Sequence, residues 1–161
     1  MGAEDLDQVK TWAHEVIGST RRFKPDARID GVLLQEMARG LEMIVGSVND
    51  PVFGPYVMVG AGGVFSEIIR DTTLRFAPFG VREALDMLDE LKIARVLRGY
   101  RGARPYDIDA IADALVRVSE LVADHAATIA ELDINPLFVR HAGEAVIAAD
   151  GLAGLKPVAQ R

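Results

Sequence analysis

The alternating run Glu131-Leu132-Asp133-Ile134-Asn135, with Pro136 after it and a turn at His141-Ala142-Gly143-Glu144, constrains this chain more than any other feature. Side chains along a strand alternate between faces, so Glu131, Asp133 and Asn135 share one face. A two-residue loop at Ala142-Gly143 pairs residue 141 with residue 144. Carried outward, that register sets Asn135 across from Asp150. Directly opposed residues have Cβ atoms roughly 4.5–5.5 Å apart. An amide oxygen and a carboxylate at that spacing suit one hard cation such as Mg²⁺. Each residue taken singly favours an ordinary polar strand face; the pairing and the run of carboxylates bring a divalent-metal site about level with it.

The rest of the sequence narrows the chemistry. Its 161 residues suffice for one domain or two small lobes, and half of them are hydrophobic, a globular composition. There is no cysteine, which removes disulfides and thiolate metal sites and leaves His, carboxylates and amides as ligands. A net charge of −6 argues against a nucleic-acid partner, which would need a basic footprint. No apolar run approaches the roughly 20 residues of a membrane span, and Met1-Gly2-Ala3-Glu4-Asp5 lacks a signal-peptide pattern. The expectation is a cytoplasmic chain with no membrane partner. No serine sits in a Gly-x-Ser-x-Gly elbow.

Apolar residues at spacings of three and four predict a helix over 5–23, closed by Lys24-Pro25-Asp26. Ile29 to Met37 alternates like a strand, with Arg39-Gly40 as its turn and Leu41 to Val48 as its return. A strand at Tyr56 to Val59 and short strands at Val64 to Ile69 and Thr72 to Phe76 follow. Helices are expected over Arg82 to Leu91, continuing after a bend, and over Ile108 to Asp124 with Asp107 as N-cap. The order α, β cluster, α-α, β implies an α+β fold, mainly an antiparallel sheet flanked by helices. The expected organisation is an N-terminal helix and linker at 1–30, a subdomain at 31–150 and a loose tail at 151–161.

Three further groups carry weaker signals. A three-residue turn at 38–40 would oppose Glu36 and Glu42, and like charges so placed need a ligand or cation between them. Two solvated glutamates in another register fit these residues better when taken alone. Gly60-Ala61-Gly62-Gly63 matches neither a Walker A loop nor a dinucleotide fingerprint, and reads as a tight corner. Arg98, Arg101 and Arg104 around Tyr100 could meet phosphate, although a solvated connection is favoured. His14, His125 and His141 have no mutual spacing that suggests a site.

Six ordered strings converge on one family: Gly31-Val32-Leu33-Leu34-Gln35-Glu36-Met37, Gly40-Leu41-Glu42, Asp50-Pro51-Val52-Phe53-Gly54-Pro55, Gly60-Ala61-Gly62-Gly63, Gly99-Tyr100-Arg101-Gly102 and Glu131-Leu132-Asp133-Ile134-Asn135-Pro136-Leu137. Together they resemble the ATP-grasp domain of ADP-forming acyl-CoA synthetases, related to the succinyl-CoA synthetase β chain and found also in synthetase-like protein acetyltransferases. The resemblance implies that Gln35, Glu36 and Met37 form a hinge strand meeting the nucleotide and that Glu42 is a second nucleotide contact. It implies that Asn135 and Asp150 ligate Mg²⁺, with Asp133 and Glu131 beside the metal, and that Gly62-Gly63 and Glu67 pack near the cleft without direct chemistry. The implied reaction is acyl-CoA, ADP and phosphate to acid, CoA and ATP, with ATP or ADP as substrate.

The family's phosphate-holding lysine and glycine-rich lid have no match before residue 31. The chain therefore reads as the C-terminal part of the domain, with a missing ATP-grasp lobe and a CoA-binding synthetase domain or chain as partners. No catalytic residue is assigned, and the chain alone is expected to be inactive. Apolar surface left uncovered would favour a homo-oligomer. The alternative reading is a non-catalytic regulatory or scaffolding module of an acetyltransferase or synthetase assembly.

Overall fold

The computed structural model describes residues 3, 5–63 and 70–157. Contacts divide the chain into two units, Met1–Met37 and Ala38–Arg161. The boundary lies seven residues beyond the expected end of the linker at 30.

The first unit is built on helix α1, Leu6–Phe23. Asp5 caps it: its carboxylate accepts the Gln8 N–H at 2.8 Å, satisfying one of the orphan donors of the first turn. Val9, Trp12, Ala13 and Val16 recur on one stripe, and this stripe shares a shallow cavity of about 380 Å³ with Val32, Leu33, Leu34 and Met37. No residue of α1 is buried, and Leu33, Leu34 and Met37 are mostly exposed. The strand expected over 29–37 does not form. A strand needs a neighbour for its N–H and C=O groups, and β1, its expected partner, already has β2 on one edge and β4 on the other. Glu36 and Glu42 are therefore not hairpin partners, and Gln35, Glu36 and Met37 lie in exposed, irregular chain rather than a hinge strand.

The second unit is an antiparallel sheet backed by helices on one face. Its strands are β1 (Leu41–Asp50), β2 (Gly54–Ala61), β3 (Thr72–Phe76), β4 (Ile129–Val139), β5 (Val146–Ala148) and β6 (Gly151–Leu155), in the order β3-β2-β1-β4-β5, with β6 also on β4. Helices α2 (Val81–Glu90), α3 (Ala94–Leu97) and α4 (Ile108–Asp124) complete it. Period-two alternation sends Met43 and Val45 of β1 and Val57 and Val59 of β2 into the core. There they join Ala84, Met87 and Leu88 of α2 and Ile111, Leu115 and Val122 of α4. Fully burying the Met, Val, Leu and Ile side chains among these stabilises by about 1.5–3 kcal/mol each.

Among the described residues, Asp71, Ser119 and Ser47 are buried polar side chains. Asp71 accepts the Lys92 N–H at 2.8 Å and the Ile93 N–H at 2.9 Å, bridging the sheet to the α2–α3 junction. The Ser119 hydroxyl donates to the Val116 carbonyl at 2.7 Å.

Residues 151–155, expected as a loose tail, form β6, with Leu152 across from Asp133 and Gly154 across from Glu131. Val64 to Ile69, expected as a strand, lies outside the described residues, as does Glu67.

Candidate functional site: the uncovered face of the sheet

The helices cover one face of the sheet. The other face can be read off the register, because directly opposed residues share a face. One row runs Leu74, Met58, Gly46, Asp133, Leu152 across five strands. The next runs Phe76, Tyr56, Val48, Glu131, Gly154. Leu74, Phe76, Val48 and Leu152 are half or more exposed in most cases, at 50%, 56%, 43% and 63%. Carboxylates at 131 and 133 thus sit on an apolar, uncovered surface, above a shallow cavity of about 410 Å³ that Gly46, Tyr56 and Met58 help to line.

The turn at His141 to Glu144 forms as the spacing predicts, with the Glu144 N–H donating to the His141 carbonyl at 2.8 Å. Leu137 then pairs with Ala148, Phe138 with Ile147 and Val139 with Val146. Past the short β5 the same register resumes on β6, where Ile134 pairs with Gly151. Between these pairs the Asn135 N–H donates to the Asp150 carbonyl at 3.3 Å, so Asn135 and Asp150 face each other across the ladder.

A bulge lies at the same place. The β1–β4 register shifts between Met43–Leu137 and Val45–Ile134, so Asn135 and Pro136 together oppose Ile44. The Asn135–Pro136 peptide is cis. The extra residue keeps Glu131, Asp133 and Asn135 on the exposed face while returning Leu137 and Val139 to the core.

A carboxylate on α4 holds the turn in place. Asp107 caps the helix by accepting the Ala110 N–H at 3.2 Å. Its second oxygen accepts the N–H groups of Gly143 and Ala145, both at 2.9 Å. These bonds, that from Ala145 foremost, hold the Asp107 carboxyl below its ordinary value despite partial burial. Tyr106 stacks on His141 with centroids 5.0 Å apart, which adds to the same junction. The sequence signals only the N-cap role; the clamp on a turn 36 residues away leaves no local signature.

Glu42 lies near the start of β1, two residues before Ile44, also exposed and across from Phe138 on the ladder. It shares a cavity of about 390 Å³ with Gly40, Leu41, Gly62, Gly63, Ile93 and Tyr106. Gln35, Glu36 and Met37 belong to the first unit. The arginines of the 98–104 segment are engaged locally: Arg98 pairs with Asp89, Arg104 with Glu144 at 3.2 Å, and Arg101 covers the Tyr100 ring at 5.3 Å.

Among the described residues no three His, Asp or Glu side chains converge as a metal-binding group. The donor set on offer is an amide oxygen and a carboxylate at the ends of one cross-strand pair. Asp150 already accepts the Gly151 N–H at 2.8 Å, but a carboxylate keeps further lone pairs. Two hard oxygen donors fit Mg²⁺, which is commonly held by one or two protein groups with phosphates and water completing its shell. No helix among the described residues is long and apolar enough to cross a membrane.

Comparison with known proteins agrees with this architecture. The chain is 46% identical over 148 residues to acetate–CoA ligase [ADP-forming] I of Archaeoglobus fulgidus, covering 91% of this chain and 21% of that protein. It is 43% identical to the β subunit of acetate–CoA ligase [ADP-forming] II of Pyrococcus furiosus, covering 91% of this chain and 62% of the relative. The chain thus spans less than two thirds of either. A solved dinucleotide-forming acetyl-coenzyme A synthetase 1 from Ca. Korarchaeum cryptofilum, in complex with coenzyme A and acetyl-coenzyme A, superposes with a TM-score of 0.84 at 38% identity over 97% of this chain and 69% of that one. Another structure of that protein, with coenzyme A and Mg-AMPPCP, gives a TM-score of 0.77 at 36% identity over 93% of this chain and 64% of its own. The ATP-grasp domain model matches residues 1–153, and the chain belongs to the ATP-grasp family.

Proposed function

We propose that this chain supplies the nucleotide- and Mg²⁺-facing sheet of an ADP-forming acid–CoA ligase, which converts acyl-CoA, ADP and phosphate to acid, CoA and ATP. The observation that carries the reading is the ladder that sets Asn135 across from Asp150 on the face the helices leave uncovered. Relatives named as ADP-forming acetate–CoA ligases, and a neighbour solved with Mg-AMPPCP, support it. Asn135 and Asp150 would hold Mg²⁺. The metal would neutralise charge on the nucleotide phosphates, the main demand of phosphoryl transfer.

Asp133 and Glu131, on the same face, would stand next to the ion and accept bonds from its water ligands. Glu42 would accept donors of the nucleoside, and Gln35, Glu36 and Met37 would supply further nucleotide contacts. Phosphate clamping and water exclusion would come from partners: a further ATP-grasp lobe and a CoA-binding domain or chain. The chain by itself is then expected to give no turnover, and robust ATP formation from acyl-CoA by the purified chain would contradict this division of labour.

The metal assignment is testable by paramagnetic NMR. Mn²⁺ added with ADP is expected to broaden the backbone signals of Asn135 and Asp150 first, and those of Asp133 and Gly151 next. Broadening centred elsewhere in the described sheet would overturn the assignment.

A further inference from the structure

The glycines around Glu42 divide into two kinds. At Gly40 an added Cβ would lie 2.4 Å from the Val139 carbonyl oxygen, and at Gly62 it would lie 2.9 Å from the backbone carbonyl of Glu42. These are backbone collisions, which nothing nearby can relieve. At Gly63 the collision is with a side chain: the added Cβ would lie 2.8 Å from Glu42 Oε2 and 3.6 Å from its Cδ. The Glu42 carboxylate rests in the space that any other residue at 63 would fill. Gly63 also has φ +63°, in the left-handed region. The Gly62 N–H donates to the Glu42 carbonyl at 2.8 Å, so the backbone on which this side chain is mounted is fixed.

A glutamate in solution has three freely rotating side-chain torsions, and fixing them costs entropy. A bare backbone floor lets the carboxylate settle against the chain and narrows its choices before any ligand arrives.

We propose that Gly63 is a positioning residue whose missing side chain seats the Glu42 carboxylate in the cavity shared by Gly40, Leu41, Ile93 and Tyr106. The seating is a property of the free protein; its use in holding nucleotide rests on the function proposed above. Because the contact is with the tip of a flexible side chain, Gly63→Ala is expected to displace that tip and leave the sheet folded.

The test follows the Glu42 carboxyl carbon by ¹³C NMR, assigned with Glu42→Gln, alongside calorimetric titration with Mg²⁺ and ADP. The variants are Gly63→Ala and Gly63→Asn, since asparagine tolerates positive φ. Gly54→Ala is the strain control: Gly54 has φ +82° but open space around it. Both Gly63 variants are expected to shift the Glu42 signal and to weaken ADP binding about tenfold, as for a weakened charge-assisted hydrogen bond. Gly54→Ala is expected to do neither, and Gly63→Ala is expected to add nothing in the Glu42→Gln background.

An unmoved Glu42 signal in both Gly63 variants overturns the proposal, as does an affinity loss that persists in the Glu42→Gln background. If the signal moves but even the parent chain binds no ADP, the positioning role stands and the nucleotide reading falls.

Discussion

Replacing Asp107 by alanine tests how the candidate site is held in register. The carboxylate accepts three backbone N–H groups: Ala110 at 3.2 Å on its own helix, and Gly143 and Ala145 at 2.9 Å in the turn between β4 and β5. Loss of an N-cap costs typically about 1 kcal/mol. Each hydrogen bond to a charged group contributes about 1.5–3 kcal/mol when well buried, and less here because the junction is partly open to solvent. A total of about 2–4 kcal/mol follows.

The pH dependence has a definite sign. The folded carboxyl titrates below its ordinary value of 3.8, so its contribution is complete above that value and is lost as pH falls through the lower folded one. Urea denaturation of the parent chain and Asp107→Ala at pH 7 and at pH 3 measures both effects. The difference is expected to be largest at pH 7 and to shrink at pH 3. A difference below about 0.5 kcal/mol at pH 7, within the range of ordinary surface changes, would refute the clamp.

Other substitutions probe separate parts of the account. Asp71→Ala leaves the Lys92 and Ile93 N–H groups without their buried carboxylate acceptor, and a loss of about 2–4 kcal/mol is expected in denaturant titration. Gly62→Ala forces a Cβ against the Glu42 backbone and is expected to cost about 1–3 kcal/mol, whereas Gly54→Ala, which meets nothing within 4 Å, shows only the positive-φ penalty. Arg75 pairs with Glu83 at 2.6 Å and with Glu90, and both glutamates are about half exposed. Arg75→Ala is therefore expected to cost under about 1 kcal/mol, shrinking further in 1 M salt.

The sheet's central pattern is legible in the sequence because it depends on short-range rules. Alternation from 131 to 135 and a two-residue turn suffice to place Asn135 across from Asp150. Periodicity marks α1, α2 and α4, and Asp107 caps α4 as expected.

What the sequence hides depends on partners distant along the chain. Gly151-Leu152-Ala153-Gly154-Leu155 has two glycines and no β-branched residue, so nothing local marks a strand; β4 makes it one by offering a free edge. Ile29 to Met37 shows the converse, a strand-like pattern with no edge available on β1. The bulge at Asn135-Pro136 is also silent, since strict alternation would put Leu137 on the face of Asn135 rather than in the core.

The central claim is that Asn135 and Asp150 act together on a metal-bound nucleotide. Its most direct test is calorimetric titration of the chain with ADP, with and without Mg²⁺, repeated on Asn135→Ala and Asp150→Ala. Both side chains are exposed, so both variants are expected to melt within a few degrees of the parent. Binding is expected to strengthen with Mg²⁺ in the parent, and each substitution should remove that gain. Mg²⁺-independent binding, or a Mg²⁺ gain that survives both substitutions, would contradict the assignment.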